Sequence, residues 1–241
     1  IDPYQWRKLI AVYWGYVTLI DEQVGRIQEA MVELGLADDT VLVFGSDHGA
    51  FVGSHKMQDK GPAMYDDTYR VPLIVQTPGG RRGVVEERFV SLLDLTATFL
   101  DLAGAPVPST YDGRSLAPLL RDEAVTGWRD HIVAEFHGHH FPYPQRMIRT
   151  RTHKLVVNPP DVDELYDLER DPHELVNQID NPAYTQVRRE LTRRLYHDLK
   201  AAGDNFYHWM TSMYDVGEPV GDASLSQFDI CSVPPEKRMG V

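Results

Sequence analysis

Apolar residues at Leu9, Val12, Tyr13, Tyr16, Val17, Ile20, Val24, Ile27, Met31 and Leu34 recur at intervals of three and four. That spacing predicts a helix over residues 4–34 with one buried face. Gly35 is placed to end it. Residues 40–44 (TVLVF) form a short, apolar, β-branched run after that helix, the pattern of a parallel strand buried on both faces. Residues 71–77 (VPLIVQT) read as a second buried strand, closed by Pro78-Gly79-Gly80. Residues 92–102 read as a helix ended by Gly104. Strand, long loop, strand and helix together imply an α/β sheet with helical crossovers.

Beyond residue 105 the pattern shortens. A Pro/Gly/Asp-containing connection over 105–114 leads into alternating runs at 131–136, 145–151, 154–158 and 163–168, spaced for hairpins. They predict a small antiparallel sheet. A charged helix over 184–202 carries Val187, Leu191, Leu195 and Leu199 on one stripe, suited to cover one face of that sheet. Residues 1–104 are thus read as part of an α/β domain, 105–203 as a small α+β subdomain, and 204–241 as an aromatic-containing tail. The tail is expected to pack along the surface or onto a neighbouring subunit of a homo-oligomer. Because the chain starts at Ile1 and enters a helix at once, it is expected to be the interior of a longer protein.

Composition narrows the partners. The 241 residues hold 24 Lys+Arg against 36 Asp+Glu, a formal charge of −12, with 42% hydrophobic residues. Such a balance suits a folded globular protein and argues against nucleic acid or an anionic membrane surface as the main partner. No apolar run approaches the roughly 20 residues of a membrane span, and no leader segment opens the chain. Cytoplasm is the default expectation. The single cysteine, Cys231, excludes an internal disulfide framework and a Cys-rich zinc site.

The informative stretch runs from Ser46-Asp47-His48-Gly49 to Lys60. Asp47 and His48 follow the end of a predicted strand, where ligands sit in open α/β sheets. A carboxylate oxygen and a neutral imidazole nitrogen suit a divalent cation; the same residues also suit a plain turn. Two ligands are too few, so others must come from elsewhere. Gly53-Ser54-His55 adds a second imidazole, and Lys60 a mobile cation. Together they fit an anionic ester, with metal and ammonium sharing the charge that develops on oxygen. His137-Gly138-His139-His140 is either a metal or pocket cluster or an exposed loop. Arg149 and Arg151, two apart on a predicted strand, share a face that faces either an anionic substrate or solvent; Arg146 points to the other.

In order and spacing, Phe44-Gly45-Ser46-Asp47-His48-Gly49, Gly53-Ser54-His55, Lys60-Gly61 and Tyr69-Arg70-Val71-Pro72-Leu73-Ile74-Val75 resemble the second half of the sulfatase family in the alkaline phosphatase superfamily. Further matching pieces are Val90-Ser91-Leu92-Leu93-Asp94-Leu95, Asp112-Gly113-Arg114-Ser115-Leu116, Glu164-Leu165-Tyr166-Asp167-Leu168 and Asp171-Pro172-His173-Glu174. The resemblance implies an alkaline-phosphatase-like, mostly parallel sheet with helical crossovers, followed by a small antiparallel subdomain covered by a helix. It implies that Asp47 and His48 bind a divalent metal, usually calcium, and that Lys60 contacts the sulfate and leaving-group oxygen. His55 lies near the substrate in similar proteins and is expected to donate or orient a proton. Imidazole at position 48 also suits manganese or zinc, and related phosphonate and phosphate ester hydrolases share the Asp-His-Gly pattern.

The family's paired-Asp segment and its Cys/Ser-X-Pro-X-Arg segment, whose first residue becomes the formylglycine nucleophile, do not occur here. Around Cys231, Val233 stands where that segment needs Pro and Pro235 where it needs Arg, so an ordinary thiol is expected. The expectation is a sulfate ester hydrolase that acts on a small anionic ester and is completed by an N-terminal half carrying formylglycine. The alternatives are a phosphonate monoester or phosphodiester hydrolase of the same superfamily, or a non-catalytic fragment.

Overall fold

The computed structural model describes residues 2–138, 142–159 and 161–217. Helix α1 (Pro3–Glu33) starts from a capping box: the Asp2 carboxylate accepts from Tyr4 N and Gln5 N, and the Gln5 side chain accepts from Asp2 N. Its chain leaves through Gly35 at φ +68°. Contrary to the predicted buried face, no α1 residue is buried, and Val12, Tyr16, Val17 and Ile20 are more than half exposed. The helix touches the rest mainly at its start, where the Trp6 ring lies over Gly53. Its stripe finds no counterpart among the described residues.

Strands β1 (Leu42–Gly45) and β4 (Leu73–Gln76) pair with each other, and they do so antiparallel, with Gly45 opposite Leu73 and Leu42 opposite Gln76. The expected parallel relation fails for a simple reason. The connection contains only a short hairpin of β2 (Phe51–Val52) with β3 (Gln58–Asp59), the 3-10 turn Ser54–Lys56 between them, and a one-turn helix, α2 (Asp66–Tyr69). No crossover helix carries the chain back to the start of β1, so it returns from β1's end. Neither strand is fully buried.

Helix α3 (Leu93–Leu102) turns its buried Asp94, Ala97 and Thr98 toward the short α4 (Ala117–Leu120). The fully buried Asp94 accepts from Ser91 N and Arg114 N, both at 2.8 Å, and from both terminal nitrogens of Arg129 at 2.6 and 2.7 Å. It ties the helix to the Asp112–Gly113–Arg114 turn. A Cβ at Gly113 would lie 2.1 Å from Leu93 O, so only glycine permits that approach.

The remaining strands, β5 (His131–Gly138), β6 (Pro142–Thr150), β7 (His153–Val157) and β8 (Glu164–Asp167), form the antiparallel meander that the alternation predicts. Alternation sends Ile148, Leu155, Val157 and Leu165 to one face, where Leu191, Leu195 and Leu199 of α5 (Thr185–Ala202) meet them. Met147 and Val156 face the other way, onto Met64 in the loop before α2. The expected tail contributes a helix, α6 (Phe206–Met213), and the fully buried Met210 and Val216 join the α5 core of this chain. Apolar Phe206, Trp209, Met210 and Met213 do recur at helical spacing, over only two turns. Cys231 and the rest of the tail, with His139 and His140, lie outside the described residues. No described helix is long and apolar enough to cross a membrane.

Candidate functional site

The turn after β1 is pressed against α2. Gly49 N donates to Thr68 O at 2.9 Å, and a Cβ at Gly49 would fall 1.9 Å from Asp67 O. Glycine is therefore required, and the contact presents Asp47 and His48 at the mouth of a cleft of about 1030 Å³ between this turn, the segment 85–92 and the β5–β6 face. The His48 Nδ1 lies 2.8 Å from Gly49 O. A carbonyl only accepts, so Nδ1 carries the proton and the Nε2 lone pair points outward, the tautomer a metal-binding imidazole needs. Lys60 Nζ stands 3.3 Å from that Nε2 and Asp47 Oδ2 3.6 Å.

Asp47, His48 and Lys60 are thus brought together. Among the described residues no three His, Cys, Asp or Glu side chains group as a metal site. A carboxylate oxygen and an outward imidazole lone pair fit two positions of a divalent cation, and the chain supplies only part of such a donor set.

His55 lies elsewhere. It sits at φ +52° in a loop where Lys56 and Asp59 are also left-handed, and its ring stacks on Tyr65 at 3.7 Å, lining a separate recess. Of the arginines read from sequence, Arg149 is held by Asp66, with Nη2 at 2.8 Å from Oδ2. Arg151 falls in the turn after β6 and lies 3.4 Å from Glu87. Arg146 points to the opposite face, against Asp204 at 2.5 Å. His137 is exposed and pairs with Glu135 at 2.8 Å.

Charge is reversed locally. Lys60, Arg70, Arg88, Arg149 and Arg151 line the cleft against Asp47, Asp66, Glu86 and Glu87, five basic to four acidic side chains among the described residues, in a chain with 24 against 36. Arg88, Arg149 and Arg151 each have a carboxylate partner. Lys60 and Arg70 have none among the described residues, which leaves their charge for an anion. Arg70 was not assigned a role from sequence. Antiparallel pairing is what delivers it, because the residues before β4 then lie beside the turn that follows β1; a parallel β4 would carry Arg70 to the far end. Tyr69 also lines the cleft. Burial pushes its phenol up to about 12, so it stays a neutral hydrogen-bond donor.

Beneath the cleft, Asp66 is the hub of a buried ion network. It accepts from Lys154 Nζ at 2.6 Å, and Lys154, fully buried, also meets Glu174 Oε1 at 2.5 Å and donates to Met64 O at 3.2 Å. Burial pushes the Asp66 carboxyl up, but Arg149 and Lys154 outweigh it and hold it below the usual range. Burial dominates at Glu174, which is raised despite Lys154.

Residues 53–201 match the family described as N-sulphoglucosamine sulphohydrolase, C-terminal. The chain belongs to the sulfatase family. It corresponds to the C-terminal portion of these members of the alkaline phosphatase superfamily. The N-acetylglucosamine-6-O-sulfatase of Bacteroides thetaiotaomicron is 32% identical over 212 residues, covering 84% of this chain and 38% of that protein. A solved 2-O GAG sulfatase superposes with a TM-score of 0.80 at 30% identity, over 85% of this chain and 46% of that one. The phosphonate monoester hydrolase of Agrobacterium radiobacter superposes with a TM-score of 0.73 at 34% identity, over 79% and 41%. This sulfatase chain spans less than half the length of these relatives.

Proposed function

We propose that the protein to which this chain belongs hydrolyses sulfate esters, with the reacting group held in the cleft of Asp47, His48 and Lys60. The observation that carries this reading is the convergence of the outward His48 Nε2, Asp47 and an ammonium without a carboxylate partner among the described residues, in a locally basic cleft. Asp47 and His48 would hold a divalent metal, calcium by family resemblance, with manganese or zinc compatible with the imidazole. When bound, such a cation neutralises charge on the ester oxygens. Lys60 stabilises the departing oxygen, and Arg70 attracts and orients the anion. The nucleophile, a formylglycine by resemblance, comes from outside residues 1–241, as does the remainder of the metal's donor set.

The test is turnover of 4-nitrophenyl sulfate by the full-length protein. Asp47→Ala and Lys60→Ala are each expected to lower kcat/KM about 100-fold or more. Rates like wild type in both variants would remove the assignment.

His48 favours one second reading, a phosphonate monoester or phosphodiester hydrolase, since imidazole suits a transition metal and a phosphonate monoester hydrolase is 34% identical. Parallel rates on sulfate and phosphonate esters, with metal analysis, separate the two; a preference for phosphorus esters would reverse the order.

A further inference from the structure

Across the 60s loop from the cleft lies a second recess, of about 370 Å³, whose walls include His55, Tyr65, Gln145, Asn158, Glu164 and Glu174. Gln145 is 2% exposed and Asn158 4%. Both side-chain oxygens, Gln145 Oε1 and Asn158 Oδ1, are buried without a hydrogen-bond partner among the described residues. Asn158 Nδ2 donates to Val162 O at 3.3 Å, which fixes the amide and leaves its oxygen as the unsatisfied end. A buried acceptor left without a donor forfeits its hydration with nothing in exchange. Two such acceptors on one recess point to a ligand that brings donors.

The charge of the recess says which donors. Asp161, Glu164 and Glu174 line it, and no described Lys or Arg does. Glu174 pairs from behind with Lys154 at 2.5 Å, a cation it shares with Asp66. Glu164 forms no salt bridge among the described residues, Lys154 acting on it only from a distance; its carboxylate accepts from the Tyr166 hydroxyl at 3.0 Å. The side chains of Tyr65 and Tyr166 supply aromatic surface beside it, a surface that attracts cations. A metal ion is not favoured, because no three described carboxylates or imidazoles group closely enough to hold one. Nor is a sulfate ester, which three carboxylates repel. The volume falls in the range of small-molecule pockets.

We propose that this recess binds a small organic ammonium ligand, with Glu164 as its counter-ion and Gln145 Oε1 and Asn158 Oδ1 accepting its N–H groups. The site is distinct from the cleft of Asp47, His48 and Lys60 and independent of the sulfate ester reading. Burial raises the Glu164 carboxyl, against the Tyr166 hydrogen bond, and the Glu174 charge adds to the rise; a bound cation relieves that penalty.

The experiment is calorimetric titration of the full-length protein with ethanolamine and putrescine, beside uncharged ethylene glycol and calcium chloride, with and without inorganic sulfate. An amine is expected to bind, ethylene glycol is not, and sulfate is not expected to compete. Glu164→Gln should weaken the amine about tenfold or more, the loss of one charge-assisted contact. Asn158→Leu and Gln145→Leu should each weaken it as well, and they carry the test if Glu164→Gln does not fold. No binding by either amine would mean a hydrated recess only and overturn the proposal. So would equal binding of ethylene glycol, displacement of bound amine by calcium, competition by sulfate, or variants that bind like wild type.

Discussion

His131 opens the small sheet and bridges it to α5, with Nε2 2.6 Å from Asp198 and Nδ1 2.7 Å from Asp130. The hydrogen bond to Asp198 does most to raise its pKa above the ordinary 6.5, with burial opposing and Asp130 assisting. A group whose folded pKa is raised contributes its stability fully below the unfolded value and loses it as pH rises through the folded one. His131→Asn should therefore lower Tm most below about pH 6.5, and the gap from wild type should close as pH rises further. Thermal melts across that range check the sign; a gap that widens with pH contradicts it. Asp198 is 39% exposed, so screening keeps the effect under about 1 kcal/mol. Nothing in the sequence marks this pairing, because the partners are 67 residues apart and single titratable residues carry no periodicity. That Asp47, His48 and Lys60 lie close together was legible for the opposite reason. All three belong to one local loop, whose motif fixes their spacing.

At the scale of elements, the one-turn α2 could not hold itself in place. A single turn has too few internal hydrogen bonds to offset its ordering, and the anchor is tertiary: Asp66 N donates to Glu174 Oε2 at 2.7 Å while the Asp66 carboxylate takes Arg149 and Lys154. Lys154→Met should destabilise the fold by about 3–5 kcal/mol, since it strands two buried carboxylates with too little positive charge. Urea unfolding monitored by circular dichroism measures this, and a loss below about 1 kcal/mol would mean the network is hydrated. The long periodic elements, α1, α5 and the four strands of the meander, could be read from sequence because each repeats its pattern over several turns or pairs. Helix α6 could not, since its apolar spacing lasts only two turns and its burial depends on where the α5 core ends. The antiparallel relation of β1 and β4 is not legible in the sequence, because an apolar run has the same composition in either orientation.

At the scale of the whole molecule, α1 sets Val12, Trp14, Tyr16, Val17 and Ile20 in solvent at 50–70% exposure, more contiguous apolar surface than an isolated soluble chain usually shows. The 241-residue chain expressed alone should therefore self-associate, and Val17→Lys with Ile20→Lys should reduce the association. Sedimentation velocity reads it; a monomeric wild type at high concentration would show that the stripe is covered within the chain itself. The sequence alone determined the helix periods, the meander and the Asp47–His48–Lys60 loop, because periodicity and local motifs depend on neighbours within a few residues. Tertiary structure alone decided that Arg70 reaches the cleft, that His55 turns to a second recess, and that Gln145 and Asn158 lie buried on its wall. Each of those follows from strand direction and from packing between distant segments, where the free energy depends on partners that no local window contains.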